Sequence, residues 1–359
     1  QAEVDAGTDD ARIVTPKKLY ATPGVYRRNL VINGDMRIVQ RGTSFPTAAS
    51  GQFVVDRFAF VNACDAVVTL SQSTDVPSGE GFQFSAKVDV TTADASIAAG
   101  QYAFLTHRIE GYDFFPLVGK TCTLSFWVKS PKTGTHCVAF NSSTADRSYI
   151  ATYTVSAANT WEKKTVTLTF NYSGGTWNYT NGLGLSINFM LNTGSTYHGT
   201  AGSWLSAVAL STSGQVNCLD NTANDFYLTG VQFERGEAVT RFEHRPFGQE
   251  LALCQRYYEK SYNYAIAPGA ASSDGCVLEL GPRNSSGTTY GAKFAVEKRA
   301  VPTVTCFSDN DGASGYCYNN GNKACAAGRI GTAGFSYASI TSGDSTNNAS
   351  YHWVASIEL

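Results

Sequence analysis

From Asn29 onward apolar and polar residues alternate one for one, the two-residue repeat of an extended strand with one face inward and one in water. Phe82, Phe84, Ala86, Val88 and Val90 share one side, and Gln83, Ser85, Lys87 and Asp89 the other. The same rule puts Cys122, Leu124, Phe126 and Val128 inward, then Val166, Leu168 and Phe170, then Leu183, Leu185, Ile187, Phe189 and Leu191. Phe226 and Leu228 are followed by Val231 and Phe233, so the alternation slips by one residue at Gly230, which predicts a β-bulge there.

Strands of this length, separated by Asn-Gly, Gly-Gly and Ser-Gly turns, predict an all-β chain whose largest unit is an antiparallel jelly-roll β-sandwich. Residues 1–28 are polar and broken by Gly7, Pro16, Pro23 and Gly24, and read as a connector. Because Gln1 opens inside this polar stretch, the chain is expected to be a fragment or a processed product. The sandwich is expected over 29–246. A linking helix follows over 247–262, with Leu251, Cys254 and Tyr258 on one side of a helix drawn at 249–260. That helix either caps the open end of the sandwich or packs against copies of the chain on a fibre axis. Residues 263–359 are richer in Gly, Ser and Asn, with alternating runs at 276–280, 293–296, 301–307 and 351–357. They read as a smaller C-terminal β domain, marginal alone and helped by self-association.

Charge narrows the partners. With 27 Lys and Arg against 29 Asp and Glu, the formal charge is −2 and no basic run offers a footprint for phosphate backbones, so nucleic acid is not an expected partner. No apolar stretch reaches the roughly 20 residues of a membrane-spanning helix, and membrane insertion is not expected. Nine Cys residues contain no Cys-x-x-Cys pair, and most read as small buried hydrophobes rather than zinc ligands.

The histidines His107, His136, His198, His244 and His352 stand in no local hydrolase motif, so the chain is expected not to be an enzyme. A carboxylate pair assembled from distant strands stays open as an alternative. Asp309-Asn310-Asp311-Gly312 resembles the start of a calcium loop, but its twelfth position is Asn320 where a Glu is needed, and it reads as a turn. No metal or cofactor is expected. What remains is aromatic residues in polar, glycine-rich surroundings: Trp177 and Tyr179, Tyr197 with His198, Trp204, Tyr316 and Tyr318, and Trp127, outward in its strand. Rings beside amides and hydroxyls suit neutral sugars, stacking on the apolar face of a pyranose while polar groups meet its hydroxyls.

Three stretches resemble a known class of protein. Glu3-Val4-Asp5-Ala6-Gly7-Thr8-Asp9-Asp10-Ala11-Arg12-Ile13-Val14-Thr15-Pro16 resembles a segment that punctuates tail-fibre and tail-tip proteins of phages and prophages. Asn29-Leu30-Val31-Ile32-Asn33-Gly34-Asp35-Met36-Arg37, with Gln40-Arg41-Gly42 and Asp56-Arg57-Phe58, resembles the opening of their carbohydrate-binding-like jelly roll. Gly230-Val231-Gln232-Phe233-Glu234-Arg235-Gly236, continuing through Phe242-Glu243-His244-Arg245-Pro246 to Arg256-Tyr257-Tyr258, resembles its close. The resemblance implies a homotrimeric virion subunit, joined to other tail or baseplate proteins through its N-terminus. Its distal end would contact a bacterial surface polysaccharide, with the C-terminal β domain as one candidate tip; which of the two β domains carries recognition stays open. A fibre-borne glycan depolymerase or esterase, and a structural segment without receptor contact, are the alternatives. The matching motifs themselves read as scaffold: Asn33-Gly34 as a tight turn, and Asp56 paired with Arg41 or Arg57.

Overall fold

The computed structural model describes residues 28–170, 173–280, 288–341 and 348–359. The connector expected over 1–28 therefore lies, Arg28 apart, outside the described residues. The first half of the chain forms β1 (Ser44–Phe45), β2 (Phe53–Val55), β3 (Phe58–Asn62), β4 (Val67–Ser73), β5 (Ser85–Thr92) and β6 (Tyr102–Glu110). A short helix α1 (Gly111–Phe114) leads to β7 (Thr121–Lys129), β8 (Gly134–Asn141), β9 (Ser148–Val155), β10 (Glu162–Thr169), β11 (Leu183–Thr193), β12 (Trp204–Leu205) and β13 (Asp225–Arg235). They assemble into two antiparallel sheets, ordered β1-β4-β5-β13-β7-β10 and β12-β9-β8-β11-β6-β3-β2. Their inner faces close on one core: a jelly-roll β-sandwich.

The alternation delivers that core. Cys122, Leu124, Phe126 and Val128 are fully buried, and Phe126 meets Phe189 of the opposite sheet with ring centroids 5.1 Å apart. Each such side chain contributes about 1.5–3 kcal/mol by leaving water. The strand expected from Phe82 begins at Ser85; Phe82 is buried as part of a loop instead. β11 is buried on both sides. Its outward Met190 packs with Phe104, Cys137, Ile150 and Leu210 beneath the chain that returns after β11, so polarity alternation is weak there.

The bulge lies where the slip in pattern predicts. On β13, Thr229 pairs with Trp127 of β7 and Gln232 with Ser125, leaving one extra residue on β13. Gly230 takes φ of +61°, and Val231 and Phe233 turn back inward, both fully buried.

Helix α2 (Phe247–Gln255) starts after Pro246 and is shorter than the expected 249–260. Tyr258 lies instead in a strand, β14 (Tyr258–Lys260), because pairing with the end of the chain outweighs continuation of the helix. The helix caps one end of the sandwich through Cys254, which packs with Ile32, Ile38 and Tyr257.

The rest of the chain adds β15 (Val277–Glu279), β16 (Thr288–Lys293), β17 (Thr303–Phe307), β18 (Tyr316–Tyr318), β19 (Asn322–Gly331), β20 (Gly334–Ile340) and β21 (Ala349–Ser356). With β14 they form a third sheet, ordered β14-β21-β18-β19-β20-β16, with β15 and β17 also paired to β21. The strand expected at 293–296 ends at Lys293, since the amides of Ala295 and Val296 turn to the buried Glu259 carboxylate at 2.8 and 3.4 Å.

The scaffold motifs meet at the seam between sandwich and third sheet. Arg41 bonds Asp56 at 2.9 Å and Glu358 at 2.6 Å, with its guanidinium 3.6 Å from the centroid of the Tyr258 ring. Arg57 pairs with the same Glu358 and lies 3.6 Å from the Tyr257 ring centroid. Arg256 and the Tyr257 hydroxyl both donate to Glu110, at 2.7 and 2.8 Å. The hydrogen bond to Glu110 raises the pKa of Arg256, and burial raises that of Tyr257. The turn expected at Asn33-Gly34 forms, with Asn33 at φ +60° and the Met36 amide donating to the Asn33 carbonyl at 3.0 Å; Gly34 is needed there for close packing, since a Cβ would lie 2.1 Å from the Val231 carbonyl oxygen.

Candidate functional site

The bulge has a second consequence on the solvent face of the first sheet. A Cβ at Gly230 would lie 2.7 Å from Phe82 and 2.9 Å from Trp127, so only glycine lets those two rings close over this point. Trp127 is half-buried, held between Lys163 of β10 and Thr229 of β13 in the strand register. Around it opens a cavity of about 430 Å³, lined by Glu80, Phe82, Ser125, Trp127, Lys163 and Gly230 together with Arg241, Phe242 and His244.

Two loops supply the walls. The chain after β13 folds back along it because buried polar groups hold it there: the Thr240 amide donates to Glu234 at 3.0 Å and the Glu243 amide to Gln232 at 2.8 Å. This brings Phe242 and His244 to the groove, 4.8 Å apart at their ring centroids. The loop before β5 brings Phe82 against Phe242 edge-on at 5.0 Å and against His244 at 5.5 Å. The next row of the sheet is polar: Trp161 donates to Asp75 at 2.8 Å, Lys129 pairs with Asp75, and Lys87 with Asp225 at 3.1 Å. Partial burial pulls Asp75 up, but hydrogen bonds from Lys129 and Trp161 outweigh it and hold the carboxyl below its ordinary range.

Chemically the groove offers an aromatic floor and a rim of donors and acceptors, the combination that holds a flat, hydroxyl-rich ring. Among the described residues, Glu80 is the one carboxylate in its lining.

The other aromatic residues singled out in the sequence fall elsewhere. Trp177, Tyr179 and Trp204 gather at one end of the sandwich, where Trp177 stacks on Phe114 at 5.0 Å and approaches Trp204 to 5.7 Å. Both indoles are engaged, donating to the carbonyls of Gly174 at 3.0 Å and Thr169 at 2.8 Å. Tyr179, with Tyr112 and Phe115, leaves that cluster exposed. Tyr197 packs edge-on against Tyr102 at 5.0 Å, and His198 contacts the Thr193 carbonyl at 3.2 Å, both in the cover over β11. Tyr316 and Tyr318 project together from β18, on either side of buried Cys317. Trp127 alone of the eight lines the groove. Its partners Phe82, Arg241, Phe242 and His244 escaped sequence reading because Phe82 and the run 241–244 stand far from Trp127 in the chain; the bulge at Gly230 was the available signal.

No group of three or more His, Cys, Asp or Glu is arranged to hold a metal among the described residues. In the turn after β17, Asp309 accepts from Ser350 at 2.8 Å, while Asp311 accepts from Asn322 at 2.6 Å and from the Ala313 amide at 3.1 Å. These are the bonds of a closed turn.

No family model matches the sequence, and no curated protein matches it. Solved structures overlap with part of the chain. The enzymatically active domain of tailspike protein 4 of bacteriophage CBA120 is similar at 17% identity and a TM-score of 0.32, over 53% of this chain and 21% of that one. The chain thus spans about a fifth of that structure's length. A CBM4 structure is similar over 57% of this chain and 99% of its own, at 17% identity and a TM-score of 0.32. The family 11 carbohydrate-binding module of a cellulosomal cellulase of Clostridium thermocellum is similar over 55% and 100%, at 13% identity and a TM-score of 0.28. Overlaps of this quality assign no ligand, and the residues of the groove carry that question alone.

Proposed function

We propose that the chain is a non-catalytic, glycan-binding subunit of a phage or prophage tail fibre or tail tip, trimeric on its fibre and serving adsorption to a bacterial surface polysaccharide. The observation that carries the glycan reading is the groove around Trp127, where a glycine bulge, an aromatic floor and a polar rim meet on an exposed sheet face. Its single carboxylate supports binding without cleavage, since glycoside hydrolysis in most families uses two. The virion reading rests on the three stretches of sequence that resemble tail-fibre proteins.

Weak sites suffice in such an assembly. A millimolar contact amounts to about 4 kcal/mol, and several copies on one particle raise avidity by orders of magnitude without new contacts. Adsorption of the chain to whole cells and to a panel of neutral polysaccharides tests the proposal. Trp127→Ala is expected to weaken binding roughly tenfold or more through loss of stacking area, with little change in melting temperature. Binding that survives this substitution moves the ligand elsewhere, and release of reducing ends replaces adhesin by depolymerase. A monomer by light scattering at micromolar concentration removes the trimer.

A further inference from the structure

The third sheet carries a second cavity, of about 700 Å³, built on different chemistry. Three neighbouring strands make its floor. β20 pairs with β16 through Lys293↔Gly334 and Ala292↔Phe335, and with β19 through Gly331↔Gly334 and Ile330↔Phe335. Gly334 therefore occupies the middle of the trough. It is required there, since a Cβ would lie 2.4 Å from the Ala292 carbonyl oxygen, and Gly291 on β16 is required likewise, its Cβ falling 1.9 Å from that of Phe335. Between the outer strands the lining is otherwise small and polar, with Ser336 of β20 and Thr332 and Ala333 of the turn before it.

Those outer strands bring one cation each, Lys293 from β16 and Arg329 from β19, both exposed and both lining the cavity. Strands two apart lie roughly 10 Å from each other, so the two charges flank a space the width of a small ligand. Among the described residues, neither side chain forms an ion pair or hydrogen bond. The nearby carboxylate of Glu297 is engaged by the Thr332 hydroxyl at 2.8 Å. Tyr290, 66% exposed, stands on the wall, its backbone fixed by a hydrogen bond from the Tyr351 hydroxyl to its carbonyl at 2.5 Å.

We propose that this trough is a second binding site, selective for an anionic group, carboxylate or phosphate, borne on a saccharide ring that Tyr290 faces. Lys293 and Arg329 supply charge-assisted hydrogen bonds from either side, and the bare glycine backbone lets the anion approach closely. The anion preference is independent of the Trp127 groove; only the saccharide carrier rests on the glycan reading above.

The test titrates the full chain with polygalacturonate, with inorganic phosphate and with neutral dextran. Polygalacturonate or phosphate is expected to bind, more weakly in about 500 mM than in about 50 mM salt, and whichever binds names the anion. The double variant Lys293→Gln with Arg329→Gln is expected to lose roughly tenfold or more in affinity. Lys323→Gln, a cation of the same strand β19 outside the lining, is expected to change nothing. Tyr290→Ala is expected to weaken polygalacturonate while sparing phosphate. The proposal falls if neither anion binds, if the double variant binds as the parent does, or if Lys323→Gln weakens binding equally, which would reveal diffuse charge attraction. Loss of anion binding with retention of neutral-glycan binding at Trp127 separates failure here from failure of the groove.

Discussion

The sandwich and the third sheet solve the same problem with unequal means. The sandwich encloses a broad core of Phe, Leu, Val and Ile supplied by both sheets. The third sheet closes on a small one: Phe294, Phe335, Ile340, Tyr351 and Trp353 with alanines and the three thiols Cys306, Cys317 and Cys325. So small a core is marginal by itself, and the difference shows in the seam. β14, which edges the third sheet, issues directly from the helix that caps the sandwich, and Glu358 just past β21 sits between Arg41 and Arg57 of the sandwich. Arg299 ties in a second point, donating to the Asn181 carbonyl at 2.8 Å while accepting from the Asn181 side chain at 3.0 Å. The larger body stands on burial; the smaller one leans on buried charge.

The sharpest way to break this contrast is Glu358→Ala. It leaves the buried Arg57 guanidinium without its carboxylate while Arg41 keeps Asp56, and removing one partner of a buried ion pair costs about 3–5 kcal/mol. If the third sheet depends on the seam, calorimetry will show it melting ahead of the sandwich. A single unshifted transition would mean that its own core suffices. Gly230→Ala probes the other body. Positive φ and overlap with Phe82 and Trp127 together are expected to cost roughly 2 kcal/mol, to lower the sandwich transition and to weaken glycan binding, with the third sheet unaffected.

The smallest effect sharpens the seam itself. Tyr264 donates to the Arg37 carbonyl at 3.1 Å and accepts from the Val39 amide at 2.9 Å, and burial pushes its hydroxyl up to about 12. A tyrosine whose folded pKa exceeds its unfolded value of about 10 stabilises fully below pH 10 and loses that contribution as pH rises toward 12. Tyr264→Phe is therefore expected to cost about 1 kcal/mol at neutral pH. Urea midpoints for parent and variant should converge between pH 10 and 12; curves that stay parallel would show that the hydroxyl does not titrate this way.

Much of the fold was legible because it depends on local pattern. Alternation gave the inward residues of β7, β10 and β11, and its slip gave the bulge at Gly230. Where partners distant in sequence decide, local pattern gave the wrong answer. Tyr258 fits a helical stripe, but three residues at the end of the chain offered it a strand. Residues 293–296 alternate as a strand does, but Glu259 captured the amides that would have continued it. The groove was half visible, through Trp127 and the bulge, since the loops that complete it are brought in by Gln232 and Glu234, polar side chains whose buried role no periodicity announces. Trp177 and Trp204, conspicuous as rings in polar loops, mostly cover the sandwich end, where an indole N–H finds a carbonyl that strand pairing leaves free.

One run after β13 divides its duties residue by residue. Phe242 and His244 line the groove, while Glu243 accepts from the Asn29 amide at 2.7 Å and Arg245 bonds Glu250 at 3.2 Å. Insertion or deletion of a single residue here would exchange the two sets, sending frame residues into the cleft and ring residues into the frame. Spacing in this run is thus fixed by the frame, whereas identity at positions 242 and 244 is not: what the groove grips can be retuned by substitution there without disturbing the bonds that hold the run in place.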